Sequence, residues 1–96
     1  MGPESKFEKQ FREEIEFLGG ICIKFKALER GMPDRVVLMP GGFTYWCEVK
    51  RPDGLGVISP AQKYQKDRFA ELGQQIWLID TYEAKQLFIE KISDEM

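Results

Sequence analysis

The stretch from Phe43 to Asp80 restricts the fold more than any other part of the chain. "FTYWCEV" is rich in aromatic and β-branched residues and reads as a strand. Ser59-Pro60-Ala61-Gln62 reads as a helix start. Serine is a good N-cap, proline suits the first helical position, and a glutamine three residues after the cap completes a capping box. Gly73 closes that helix, and "QIWLID" follows as an almost uniformly apolar strand. Such a strand is expected to be buried on both faces, in a central or parallel position. A strand, a helix and a second strand in this order imply a right-handed parallel crossover.

The remaining segments complete a mixed sheet. Phe7, Phe11, Ile15 and Leu18 fall at helical spacing within Glu4–Leu18, and Gly19-Gly20 ends that helix. Ile21, Ile23 and Phe25 alternate with Cys22, Lys24 and Lys26, which predicts a strand with a partly polar face. "ERGMP" is a loop, "RVVLM" a short strand, and Pro40-Gly41-Gly42 the turn of a hairpin. Tyr64, Phe69 and Leu72 give the second helix its apolar face. Thr81 caps a last helix with a stripe of Ala84, Leu87, Phe88 and Ile92. The order is α-β-β-β-α-β-α, an α/β fold in one domain, residues 1–96.

Composition removes several kinds of chemistry. The chain has no histidine, so imidazole acid–base catalysis and Ser-His-Asp triads are out. Its two cysteines, Cys22 and Cys47, lie inside predicted strands and read as small buried hydrophobes, not as zinc ligands or a disulfide. What remains is catalysis by carboxylates, lysines or a metal held by oxygen atoms. The start of the chain has no signal-peptide core, Met1 and Gly2 do not lead into an acylation pattern, and no apolar run is long enough to span a bilayer. The expected location is therefore cytoplasmic. Net charge is −2, but residues 21–68 carry nine Lys/Arg against five acids, flanked by acidic ends. A local basic field of this kind suits an anionic ligand.

The hairpin carries the chemical signal. If its loop is the three residues Pro40–Gly42, Leu38 faces Thr44, Val36 faces Trp46 and Asp34 faces Glu48. Lys50 shares the face of Glu48, two residues on. A two-residue loop would shift the pairing and separate the acids; the longer loop is preferred because it keeps them together. Two opposed carboxylates repel, and a divalent cation offsets the repulsion. Magnesium takes one or two carboxylates and keeps several waters; the Val49 carbonyl adds a third protein oxygen. Lys50 is then placed to orient or deprotonate a water and to steady transition-state charge. The competing reading is a surface ion pair, Glu48–Lys50, at a sheet edge.

"GMPDRVVLMPGGFTYWCEVKRPDG", with "SPAQ" and "ELGQQIWLID" after it, resembles the virus-type replication-repair nuclease (VRR-NUC) domain of the PD-(D/E)xK nuclease superfamily. The resemblance runs from about Glu4 to Asp80, with Met32 where the family more often has valine. It implies a restriction-endonuclease-like mixed β-sheet flanked by helices and a Mg2+ or Mn2+ cofactor. By motif position Asp34 and Glu48 would be metal ligands, Val49 would add its carbonyl, and Lys50 would be the catalytic lysine. Gln62 matches the family's helix glutamine, beside its capping role. A first-helix glutamate commonly joins such sites; Glu4 is the candidate and Glu8 the rival. Standalone members are often phage-encoded and resemble Holliday-junction resolvases, which implies a homodimer acting on branched DNA. Arg35, Arg51, Lys63 and Lys26, with Lys24 and Lys66, are candidates for holding phosphates. Trp46 and Trp77 read as core residues.

Overall fold

A computed structural model describes residues 4–96; Met1 and Gly2, read above for acylation, lie outside them. The elements are α1 (Lys6–Phe17), β1 (Ile21–Lys24), β2 (Arg35–Met39), β3 (Phe43–Val49), α2 (Pro60–Glu71), β4 (Ile76–Ile79) and α3 (Tyr82–Asp94). They follow the α-β-β-β-α-β-α order and form one four-stranded sheet, ordered β1-β2-β3-β4. The first two pairings are antiparallel and β3–β4 is parallel. This is a mixed sheet flanked by helices, the restriction-endonuclease-like arrangement. Among the described residues no helix is long and apolar enough to cross a membrane.

The hairpin has the three-residue loop. Met39 pairs with Phe43, Val36 with Trp46 and Arg35 with Cys47. Gly41 and Gly42 have φ of 93° and 87°, a left-handed conformation that residues with a Cβ rarely adopt. That turn sets which side chains share a face.

One face of the sheet is closed. α1 and α3 pack on it and bury Phe11, Ile15, Val37, Cys47, Phe88 and Ile92 almost completely. Phe88 gathers Phe11, Tyr45 and Trp77 around it, with ring centroids 5.5–5.7 Å away. Lys85, itself buried, reaches Glu14 at 2.6 Å and ties α3 to α1. The Tyr45 hydroxyl donates to Glu95 at the end of α3. Both cysteines are free, and burial pushes the Cys22 thiol up to about 11, so neither is poised as a nucleophile.

The opposite face is covered by α2 alone, and several expectations are corrected here. Of the residues assigned to the apolar face of α2, only Phe69 packs, edge-on to Trp46 at 5.8 Å; Tyr64 and Leu72 are exposed. The fully buried residue of α2 is Gln65. β4 is parallel to β3 as predicted but is an edge strand, and only its Ile79 is fully buried. Ile21 and Ile23 are exposed, because the register with β2 turns Cys22 towards the closed face and the isoleucines towards the α2 side. Leu87, on the predicted stripe of α3, is exposed too.

Candidate active site

Asp34 is the residue immediately before β2. Its Oδ1 accepts a hydrogen bond from the Val49 backbone N–H at 3.1 Å, and its Oδ2 pairs with the Arg35 guanidinium. The first bond crosses from β2 to the end of β3 and fixes the aspartate beside the Glu48-Val49-Lys50 segment. Glu48 follows the hairpin alternation and turns towards α2. Its Oε1 accepts a hydrogen bond from Gln62 Nε2 at 3.0 Å and lies 3.8 Å from Lys50 Nζ. Glu48 and Lys50 are both largely buried, at 16% and 17% side-chain exposure, so this is not the loose surface pair of the competing reading. The Lys50 backbone N–H is tied to the Ile79 carbonyl at 2.9 Å, which extends the parallel β3–β4 ladder past the end of β3.

Gln62 serves two purposes at once. It is the N3 residue of α2: its Oε1 accepts from the Ser59 N–H at 2.9 Å, while its own N–H donates to Ser59 Oγ at 3.1 Å. The other end of the same amide reaches Glu48. The capping box thus aims the side chain, and the two roles left open by the sequence are compatible.

A second capping box does the same from α1. Ser5 is the N-cap, and Glu8 is the N3 residue whose Oε1 accepts from the Ser5 N–H at 3.4 Å. Glu8 Oε2 receives Lys24 Nζ at 3.2 Å and the Arg35 guanidinium. Glu4 is elsewhere. It precedes the helix and makes a two-pronged contact with Arg12 at 3.0 and 3.1 Å, which lowers its carboxyl pKa. The first-helix glutamate beside Asp34 is therefore Glu8, and the placement of Glu4 is corrected. The signal was present in the sequence: Ser5-Lys6-Phe7-Glu8 has the spacing read correctly at Ser59–Gln62.

Glu8, Asp34, Val49, Lys50 and Lys24 line a cavity of about 500 Å³. Glu48 and Gln62 line a smaller one of about 40 Å³ on the α2 side, with Gly31. Burial, reinforced by the negative charge of Asp34, pushes the Glu48 carboxyl up to about 7. Burial acts on Glu8 in the same sense, but the bonds from Ser5 and Lys24 and the charge of Arg35 outweigh it, and its carboxyl is lowered.

The phosphate-binding candidates separate. Arg35 is corrected: it pairs with Cys47 on the closed face, is 5% exposed, and clamps Asp34 and Glu8 with its two terminal nitrogens. It cannot reach a surface phosphate as it stands. Arg51 is exposed and paired with Asp53 at 2.7 Å; Lys63 is exposed and paired with Asp67 at 3.0 Å. Lys26 is exposed and has no ion pair among the described residues.

The donor chemistry suits a hard divalent cation. Asp34 and Glu48 supply carboxylate oxygens, and burial, reinforced by the negative charge of Asp34, disfavours the ionised form of Glu48, a cost that a bound cation offsets. Among the described residues no group of three or more acidic, cysteine or histidine side chains is gathered closely enough to cage a metal. Magnesium does not require such a cage, since it retains waters and accepts phosphate oxygens.

No family model matches the chain. It is 32% identical over 85 residues to "Putative nuclease p44" of Acyrthosiphon pisum secondary endosymbiont phage 1, covering 88% of this chain and 89% of that protein. A solved structure of a VRR_NUC domain superposes with a TM-score of 0.78 over 91% of this chain and 94% of its own, at 28% identity. Sequence and fold agree: this chain belongs to the virus-type replication-repair nuclease (VRR-NUC) family.

Proposed function

We propose that this protein is a Mg2+-dependent, structure-selective endodeoxyribonuclease that hydrolyses phosphodiester bonds in branched DNA, in the manner of a Holliday-junction resolvase, and that it works as a cytoplasmic homodimer. The observation that carries the reading is the convergence of Asp34, Glu48, Lys50 and Gln62: Glu48 accepts from Gln62 and lies beside Lys50, and Asp34 accepts from the Val49 N–H between them. The similarity to a phage nuclease supports the same class of reaction.

Asp34, Glu48 and the Val49 carbonyl would hold Mg2+ (Mn2+ is the alternative), which polarises the scissile phosphate and lowers the pKa of a water. Val49 N–H holds Asp34 in place, and Gln62 holds Glu48. Lys50, its ammonium beside Glu48, orients the attacking water and offsets the negative charge that grows on the phosphate. Glu8 completes the rim from α1 in the position first assigned to Glu4. Arg51 and Lys63 are ion-paired but exposed, and contact phosphates by exchanging partners. Open apolar surface supports a dimer: Leu55, Val57 and Ile58 are exposed in the loop before α2, and Ile21, Ile23 and Leu38 on the uncovered part of the sheet.

One observation favours a second reading, a module that binds branched DNA without cutting it. Both carboxylate oxygens of Asp34 are already engaged, one by Val49 and one by Arg35. Labelled four-way junction and duplex, incubated with Mg2+ or Mn2+ beside an Asp34→Ala variant, decide between them. Metal-dependent cutting of the junction by the native protein alone supports the nuclease. Junction binding with no cutting in either metal supports the module, and equal cutting by both proteins removes Asp34 from the chemistry.

A further inference from the structure

The loop between β1 and β2 ends at Asp34 and is anchored far more firmly than an ordinary connection. The Phe25 N–H donates to the Asp34 carbonyl at 3.0 Å and closes the loop at its base. Gln65, 1% exposed, donates its side-chain amide to the Arg30 carbonyl at 3.1 Å. Glu29 pairs with Arg68 at 2.7 Å. Gly31, with φ of 80°, lies so close to α2 that a Cβ there would stand 2.2 Å from the Ala61 carbonyl oxygen. The buried side chain of α2 and its tightest backbone approach are thus both devoted to this loop.

At its tip the same loop holds Leu28 fully in solvent, at 103% exposure. Lys26 and Arg30, two residues to either side, are exposed and have no ion pair among the described residues. Most other cations near the site are paired: Lys24 with Glu8, Arg51 with Asp53 and Lys63 with Asp67. The loop also lines a cavity of about 400 Å³ that reaches Asp34 and Gln62. A single exposed leucine is ordinary on a protein surface. A leucine held out on a four-point anchorage, between two unpaired cations and at the lip of a cavity shared with Asp34, has the form of a contact element.

We propose that this loop reads the branch in the DNA: Lys26 and Arg30 hold phosphates flanking the cleavage site, and Leu28 packs on a base left unstacked where the duplex opens. The occupant follows from charge and shape. Two free cations call for a polyanion, and an apolar tip between them gains only from a base face that continuous duplex hides in its stack. The inference rests on the nuclease reading, since it takes Asp34 to mark the cleavage site.

The test measures binding of the full-length protein in EDTA, where cutting is absent, to a labelled duplex and to the same duplex with a splayed single-stranded arm. Leu28→Ala should lower the preference for splayed over duplex DNA by about tenfold. Leu87→Ala, an exposed leucine on α3, is the control and should match the native protein on both DNAs. Lys26→Ala/Arg30→Ala should weaken both complexes alike and reduce the slope of log affinity against log salt by about 2. A native preference for splayed DNA that survives Leu28→Ala intact overturns the inference and leaves the nuclease reading standing. A native protein with equal affinity for the two DNAs also overturns it. A native protein that binds neither overturns both.

Discussion

The two faces of the sheet are built on different principles. The face under α1 and α3 is a closed apolar core: aromatic rings gather around Phe88, Tyr45 edge-on and Phe11 and Trp77 tilted, and Phe11, Ile15, Val37 and Ile92 are inaccessible to water. The face under α2 has little such core. Its helix contributes one aromatic contact, Phe69 on Trp46, and its buried residue is the glutamine Gln65. What joins α2 to the sheet and loops is largely polar: Gln62 to Glu48, Gln65 to Arg30, Arg68 to Glu29. Stability is concentrated on the first face, and the candidate chemistry lies along the seam where the second begins. Hydrogen bonds contribute little net stability but demand specific geometry, which suits a helix whose task is to position groups.

The largest effect expected from this contrast is on stability. Phe11→Ala should cost about 3–5 kcal/mol, because its cavity lies in a closed core, whereas Phe69→Ala should cost under about 2 kcal/mol. Urea unfolding of both variants measures the difference, and equal losses would dissolve the distinction between the faces.

Next in size is the effect on activity. Glu48→Gln should reduce single-turnover cleavage of junction DNA by about 10²–10³-fold, the cost of losing one electrostatic group from such a site. Its melting temperature should not fall. A loss of activity that merely tracks a loss of fold would make Glu48 a structural residue.

The same residue sharpens the comparison through pH. The Glu48 carboxyl is pushed up to about 7 from an ordinary 4.5. Between those values the folded chain holds a proton that the unfolded chain has released, so this group destabilises the fold as pH rises through 7. In metal-free buffer Glu48→Gln should melt with the native protein at pH 5 and be more stable at pH 8, by up to about 3 kcal/mol. Glu8 has the opposite sign, since its carboxyl is lowered. Glu8→Gln should be the less stable protein at pH 7, and the gap should close as pH falls below 4.5 and through the lowered value. Parallel pH profiles for the two variants would show that their environments do not differ in this way.

The smallest effects separate the two capping boxes. Ser5→Ala and Ser59→Ala should each cost about 1 kcal/mol in thermal unfolding. Ser59→Ala removes the Oγ that accepts from the Gln62 N–H, loosens the helix turn from which Gln62 reaches Glu48, and should also slow cleavage severalfold, as a fraction of the effect of Glu48→Gln. Equal cleavage rates for the Ser59 variant and the native protein would confine that box to helix stability.

Much of this was legible beforehand because it is local. The Pro40-Gly41-Gly42 turn set the hairpin register, and with it the placement of Asp34 against the Glu48 segment. Ser59-Pro60 with Gln62 set the start of α2. Elsewhere in the chain charge does not mean exposure, nor hydrophobicity burial. Arg35 has the look of a phosphate ligand, yet the register that places Asp34 also pairs Arg35 with Cys47 on the closed face. Ile21, Ile23, Tyr64 and Leu72 look like core and are exposed, since one short helix cannot cover four strands. Glu4 lies ahead of α1, whose capping box at Ser5 makes Glu8 the glutamate of the first turn.

The sequence by itself determined the elements, their order, the hairpin register and the acid–acid–lysine grouping, because caps, turns and strand alternation act over a few residues. Tertiary structure alone decided that Arg35 is a buried clamp on Asp34 and Glu8, that Glu8 stands where Glu4 was expected, and that the loop carrying Leu28 is pinned to α2. Those outcomes depend on which helix covers which face, and that is settled by long-range packing of side chains far apart in the chain.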